Sequence, residues 1–264
     1  MPDITKHTET MFSYSDLTTT DLDGARAFYT GLFGWDVDDQ PMGEGQVYSM
    51  FKQNGKTVAA ASRQQPQQLE MGIPPMWNAY FTVYDLDNRT KEAERLGGTI
   101  HAGPFEVFDA GRMSVVMDPN GAVFCLWEPK DSIGAEVMGD ANTLTWTECV
   151  AGDLDKARSF YSELFGWEEQ DFSSTSTTSA QYFVMNADGR PVCGLMPPPA
   201  EMPSFWLVYF AVENCDDAVS QARALGAEIQ RDTTAIPGVG RFALITDPQG
   251  AGFGVLEPEP GQES

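Results

Sequence analysis

Apolar residues recur at helical spacing between Asp21 and Gly34: Leu22, Ala25, Phe28, Tyr29 and Leu32 fall on one face, with polar residues between them. Asp21 stands where a carboxylate can cap free backbone N–H groups, and Gly34 where the chain must leave the helix. The same phrase returns between Asp153 and Gly166 as Leu154, Ala157, Phe160, Tyr161 and Leu164. Strand-like runs surround the first copy. Phe12–Leu17 precedes it, while runs at Val47–Lys52 and Val58–Ala61 flank Asn54-Gly55, a hairpin signal. Trp77–Tyr84 then leads into a second predicted helix, Leu86–Leu96, closed by Gly97-Gly98. Strands over Arg112–Met117 and Ala122–Trp127 flank the turn Asp118-Pro119-Asn120-Gly121. Ser62–Pro75, rich in Gln and Pro, reads as a connector, and Ser173–Ser179 as an exposed loop tip.

The whole itinerary repeats from Thr143. Asp16 corresponds to Glu148, Tyr48 to Tyr182, Gly55 to Gly189 and Trp77 to Trp206. Gly111-Arg112 returns as Gly240-Arg241, and Asp118-Pro119-Asn120-Gly121 as Asp247-Pro248-Gln249-Gly250. A duplicated fold is therefore expected: a tail over 1–10, one domain over 11–130, a linker over 131–142, a second domain over 143–258 and a tail over 259–264. The fold class is α+β, each half holding two strand–helix–strand–strand–strand units. Such a unit has one helix-covered face and one bare face. Bare faces that close on each other form a cup, and a cup with apolar walls and a few polar groups is a small-molecule site.

Composition narrows the partners. The 264 residues are 42% hydrophobic and 11% aromatic, enough for two cores. Sixteen basic residues against 39 acidic ones leave a net charge of −23. That surface repels phosphate backbones and anionic lipids, so neither nucleic acid nor membrane is an expected partner. No run reaches the ~20 apolar residues of a membrane span. The polar N-terminus lacks the plan of a signal peptide, so cytoplasmic residence is expected. Cys125, Cys149, Cys193 and Cys215 have no CxxC spacing and suggest neither a disulfide framework nor a zinc finger. With His7 and His101 as the only histidines, hydrolase triads are disfavoured.

The pattern resembles the vicinal oxygen chelate superfamily, which includes glyoxalase I, bleomycin-resistance proteins and extradiol dioxygenases. The residues that carry the resemblance are Phe28-Tyr29 through Leu32-Phe33-Gly34-Trp35, Val83-Tyr84-Asp85 with Gly97-Gly98, Asp118-Pro119-Asn120-Gly121, and their second-half counterparts. Trp77-Asn78, Asp109–Ser114 and Val239–Phe242 are most similar to the tandem glyoxalase-like proteins of actinobacteria labelled hydroxylases or antigens. The resemblance implies two tandem glyoxalase-like domains with cup-shaped sheets.

It also implies where metal ligands would stand. Metal-dependent members place His, Glu or Gln at four strand positions per cup, which fall here on Tyr14, Ala60, Ala79 and Cys125, and on Trp146, Gly194, Val208 and Gly254. None of the eight is His, Glu or Gln. Since a catalytic divalent ion needs about three protein ligands, neither metal nor other cofactor is expected.

Strand side chains alternate, so positions two apart from a former ligand share its cup. That places Asp16, Trp77, Phe81 and Trp127 with Tyr14, and Glu148, Trp206 and Phe210 with Trp146. Each cup is then an aromatic box with one carboxylate. Arg112 and Arg241 could hold an anionic ligand group by a forked contact, or pair with acidic residues. The expected function is binding of a small aromatic or cationic organic molecule. The alternative is a metal-independent isomerase, cyclase, lyase or hydroxylase-like enzyme with Asp16 or Glu148 as general acid–base. A metal-dependent lyase or dioxygenase ranks last. The chain is expected as a monomer with an internal pseudo-dimer, or as a homodimer.

Overall fold

The computed structural model describes residues 4–43, 45–172 and 181–259. The first half runs β1 (Phe12–Thr19), α1 (Leu22–Phe33), β2 (Asp36–Gly43), β3 (Gln46–Gln53), β4 (Lys56–Arg63), α2 (Pro66–Glu70), β5 (Met76–Thr82), α3 (Leu86–Arg95), β6 (Thr99–Val107), β7 (Gly111–Met117) and β8 (Val123–Pro129). The second runs β9 (Leu144–Val150), α4 (Leu154–Phe165), β10 (Glu168–Asp171), β11 (Phe183–Ala187), β12 (Arg190–Met196), β13 (Phe205–Ala211), α5 (Cys215–Ala224), β14 (Glu228–Ile236), β15 (Gly240–Thr246) and β16 (Gly252–Pro258).

Local signals do what the pattern predicts. The Asp21 carboxylate accepts the Gly24 N–H and that of Asp153 the Lys156 N–H, so both long helices start on an aspartate cap. Gly34 and Gly166 end them in left-handed conformation (φ 71° and 72°), each N–H donating back into the helix. The connector expected over Ser62–Pro75 is more ordered than its composition suggests. β4 extends to Arg63, and Pro66 opens the short α2, where Gln65 and Gln68 cap each other's backbone. The loop tip expected over Ser173–Ser179 lies outside the described residues.

Each half forms its own eight-stranded sheet. The order is β2-β3-β4-β1-β5-β8-β7-β6 in the first and β10-β11-β12-β9-β13-β16-β15-β14 in the second. β1 lies parallel to β4 and antiparallel to β5, which joins the two four-stranded units of the half.

The helix-bearing faces of the two sheets meet. Phe33 of α1 packs on Phe210 of β13 (ring centroids 5.1 Å apart), and Phe165 of α4 on Phe81 of β5 (5.5 Å). Two reciprocal buried chains lock this contact. The Trp77 indole N–H donates to the Tyr29 hydroxyl (2.9 Å), which donates to Asp247 of the other half (2.9 Å). Trp206 donates to Tyr161 (3.0 Å) and Tyr161 to Asp118 (2.9 Å). The second oxygen of each aspartate accepts two N–H groups of its own turn. The Asp-Pro-x-Gly turns thus receive the opposite half's helix, and every polar atom in the chain of contacts is satisfied.

The stretch expected as an N-terminal tail also packs. His7 is buried with its ring N–H donating to Ala135 O (2.7 Å), and Thr10 pairs with Thr82. The linker inserts beside the first sheet, Ala135 N–H donating to Ser13 O and Glu136 N–H to Thr57 O.

Candidate functional site

On the other face of each sheet, a buried carboxylate stands among tyrosines. In the N-terminal cup Asp16 is 5% exposed. Its Oδ2 accepts the hydroxyls of Tyr48 and Tyr80, both at 2.9 Å, and its Oδ1 accepts the Asn78 amide at 2.9 Å. In the C-terminal cup Glu148 is 8% exposed. Its Oε1 accepts Tyr182 Oη–H (2.7 Å) and its Oε2 accepts Tyr209 Oη–H (2.6 Å), while the Trp146 indole donates to Tyr182 (3.1 Å). Tyr14 completes the first cup, its ring edge-on to Tyr80 at 5.7 Å.

Register explains why these side chains meet, since directly paired residues share a face. Asp16 pairs with Ala60 on one side and Asn78 on the other; Glu148 pairs with Gly194 and Leu207. Two residues back along β1, on the same face, Tyr14 pairs with Tyr80, which pairs with Cys125; likewise Trp146, Tyr209 and Gly254 form one row.

This register corrects the expected lining. Ala79 pairs with Ser15, so Trp77, Ala79 and Phe81 face the helices, and so do Trp206 and Phe210. These four aromatics hold the halves together and do not line a cup. Because the strand repeat is two residues, one step of register moves a whole set to the opposite face. Asn78, Tyr80 and Tyr209 take the places assigned to them. Arg112 and Arg241 are likewise on the helix side: Arg112 pairs with Asp87 and Glu128 at 2.9 Å, and Arg241 with Asp216 at 2.7 Å and Glu257 at 3.4 Å. Of the expected site residues, the structure brings Tyr14, Asp16 and Trp127 into one cup and Trp146 and Glu148 into the other. Trp127 borders Tyr80 (6.5 Å) and donates its indole N–H to Ser132 O. The tyrosines at 48, 80, 182 and 209 were missed as site residues, although their recurrence at matching places in the two halves is a signal in the sequence.

The electrostatics follow from burial. Desolvation pushes the pKa of Asp16 up, and the donors Asn78, Tyr80 and Tyr48 hold it back. Desolvation likewise raises Glu148, opposed by Tyr209, Tyr182 and Trp146. Every tyrosine touching a carboxylate is raised as well, so the hydroxyls stay protonated and serve as donors. No described residue forms an ion pair with Asp16 or Glu148. Two shallow surface hollows border α4, around Lys156, Phe160 and Glu163 and around Arg158 and Ser162, and neither is lined by a cup residue.

Comparison with known proteins now decides the family. The profile of the Glyoxalase/Bleomycin resistance protein/Dioxygenase superfamily matches residues 6–126 and again 143–255. The chain belongs to that superfamily. It is 40% identical to a Mycobacterium bovis protein bearing the name glyoxylase CFP32, over 99% of this chain and 100% of that one. It is 35% identical to the anthracycline biosynthesis protein DnrV of Streptomyces peucetius, covering 94% of each. Among solved structures, the Mn(II)-bound glyoxalase of Novosphingobium aromaticivorans superposes with a TM-score of 0.66 at 15% identity, over 95% of this chain and 83% of that one. The 2,3-dioxygenase LapB of Pseudomonas sp. KL28 gives 0.66 at 13% identity, over 97% of both chains. At such identity these two establish the shared fold.

The donor set of the cups does not fit a divalent ion such as the Mn(II) of the Novosphingobium glyoxalase. Each cup offers one carboxylate, and the groups around it are hydroxyls and an amide that point hydrogens at it. A metal needs lone pairs converging from about three ligands. Among the described residues no group of three or more His, Cys, Asp and Glu comes together. His101 is exposed on β6, and His7 is committed to Ala135.

Proposed function

We propose that the protein binds a small aromatic or cationic organic molecule in a cup, with the buried carboxylate as acceptor and the surrounding tyrosines and Trp146 as walls. The observation that carries this reading is a buried carboxylate held by hydroxyl donors, without a cationic partner, among aromatic side chains. A buried anion that lacks a counter-charge gains most from a ligand that brings one. The net charge of −23 draws cations toward the whole molecule. The four cysteines, all free and buried, support a reducing compartment such as the cytoplasm. The reciprocal Tyr29–Asp247 and Tyr161–Asp118 contacts support a monomer whose halves act as the pseudo-dimer.

Thermal-shift and calorimetric titration against a panel of aromatic amines tests this reading. Saturable binding that weakens in E148Q or D16N is expected, and absence of binding across the panel overturns it.

A second reading rests on the raised carboxylates. A carboxyl whose pKa moves toward neutrality and is hydrogen-bonded to tyrosine can shuttle a proton, which suits a metal-independent isomerase, cyclase, lyase or hydroxylase-like step. Turnover that survives both D16N and E148Q eliminates it.

A further inference from the structure

The C-terminal cup carries a charged group that has no counterpart in the other. Following paired residues across the second sheet gives one row: Trp146 on β9, Tyr209 on β13, Gly254 on β16, Leu244 on β15 and Arg231 on β14. The equivalent row of the first sheet is Tyr14, Tyr80, Cys125, Val115 and Ala102. Arg231 is exposed, its guanidinium lies 5.8 Å from the Phe242 ring centre, and its charge acts on the Tyr209 hydroxyl. Arg231 forms no ion pair with a described residue, whereas Arg112, Arg158 and Arg241 each take two or more carboxylates.

The floor differs too. A Cβ on Gly194 would fall 2.2 Å from Tyr182 Oη, and one on Gly254 2.1 Å from Tyr209 Cδ1. Both tyrosines therefore lie against bare backbone, where the first cup has Ala60 and Cys125. Glu148 accepts two short hydroxyl bonds with the Trp146 indole N–H beside them, where Asp16 accepts two hydroxyls and the Asn78 amide, because Leu207 stands where Asn78 does. A carboxylate offers about four lone-pair directions, so Glu148 keeps capacity for a ligand's donor.

We infer that the C-terminal cup is the binding cup, and that it takes an elongated aromatic molecule with a cationic amine at one end, against Glu148, and an anionic group at the other, against Arg231. This rests on the binding reading above and adds to it the cup, the second contact and the polarity of the ligand. β9 and β14 lie four strand spacings apart, about 19 Å along the sheet before curvature. With Arg231 on one wall strand, over Phe242, and Glu148 on the other, a rigid bicyclic or tricyclic core spans the distance between them. The half-buried Phe242, Leu244, Leu256 and Trp146 supply apolar surface for its faces.

The test titrates the full chain calorimetrically with 6-(aminomethyl)-2-naphthoate, which carries both charges on a rigid bicycle, and with 2-naphthylmethylamine, which lacks the carboxylate. The two-ended probe is expected to bind one per chain and about tenfold tighter than the amine, the worth of one charge-assisted contact. R231Q should erase that preference, so that the two probes bind alike. R241Q, the same charge change on the helix side, should preserve it. E148Q should weaken both probes. If the amine binds but R231Q leaves the preference intact, or if D16N abolishes binding while E148Q does not, this inference fails and the binding reading stands. If neither probe binds while another aromatic amine of the panel does, this inference alone fails; absence of binding across the whole panel overturns the binding reading with it.

Discussion

The two cups share a plan and differ in how they treat their carboxylate. In the N-terminal cup Asp16 is held by three donors, and Ala60 and Cys125 occupy the floor beneath the tyrosines. In the C-terminal cup Glu148 is one methylene longer, has two short hydroxyl bonds with the Trp146 indole beside them, and the floor is glycine. The first arrangement ties its anion to an amide of the neighbouring strand; the second does not. Duplication therefore keeps one scaffold while allowing the two copies to hold their carboxylates differently.

The sharpest way to break that contrast is at the floor. Gly254→Ala places a methyl 2.1 Å from the Tyr209 ring, which must lift and release its 2.6 Å bond to Glu148. Overpacking of this kind costs about 1–3 kcal/mol, with the loss of a charged hydrogen bond added to it. Cys125→Ala at the equivalent place removes only a buried sulfur, for about 1 kcal/mol or less. Urea unfolding should show G254A as much the more destabilised. Equal effects would mean that the two floors are alike.

What was legible in the sequence is what is local. Asp21 and Asp153 announce helix starts, Gly34 and Gly166 announce ends, and duplication follows from their recurrence. The Asp-Pro-x-Gly turns are visible as motifs, but their partners Tyr161 and Tyr29 belong to the opposite half, and no local rule points there. β5 is buried on both sides, with Trp77 and Phe81 on one and Tyr80 on the other. A strand buried on both faces reads as one apolar run, so alternation carries no information about which set lines the cup. The carboxylates at 16 and 148 were legible because β1 and β9 each place one acidic residue inside an otherwise buried strand. Arg231 was not, because β14 is polar and mostly exposed and offers no sign of which charge overhangs the site.

Exchanging the residues beside the carboxylates sharpens the contrast further. Asn78→Leu copies Leu207 into the first cup and strips Asp16 of its amide donor. Losing a hydrogen bond to a charged group costs about 1–2 kcal/mol at pH 7. The cost should shrink as pH falls and Asp16 protonates, because a neutral carboxyl needs that donor less. The mirror change, Leu207→Asn, offers Glu148 an amide donor and should lower its pKa. Denaturation of both variants at pH 5 and pH 7 checks this. A cost in N78L that does not depend on pH would mean that Asn78 contributes packing alone.

The smallest effect expected is the difference in pH dependence between the carboxylates themselves. Burial raises both folded-state values, so the native state holds a proton that the unfolded chain has already released. Stability is then full below the ordinary carboxylate range, near 3.8 for Asp and 4.5 for Glu, and is lost as pH rises from there through each raised folded value. D16N and E148Q each remove one such loss, and what distinguishes them is its size. Asp16 has a 2.9 Å amide donor in Asn78 where Glu148 faces Leu207, so D16N should flatten the curve less than E148Q does. Asp118 and Asp247 are also raised by burial and remain in both variants, so neither curve becomes level. Urea midpoints measured in half-unit steps from pH 4 to 8 compare the two slopes. A larger slope change in D16N would show that the Asn78 amide does not offset the burial of Asp16, and the difference between the two cups would then rest on the floor glycines and Arg231.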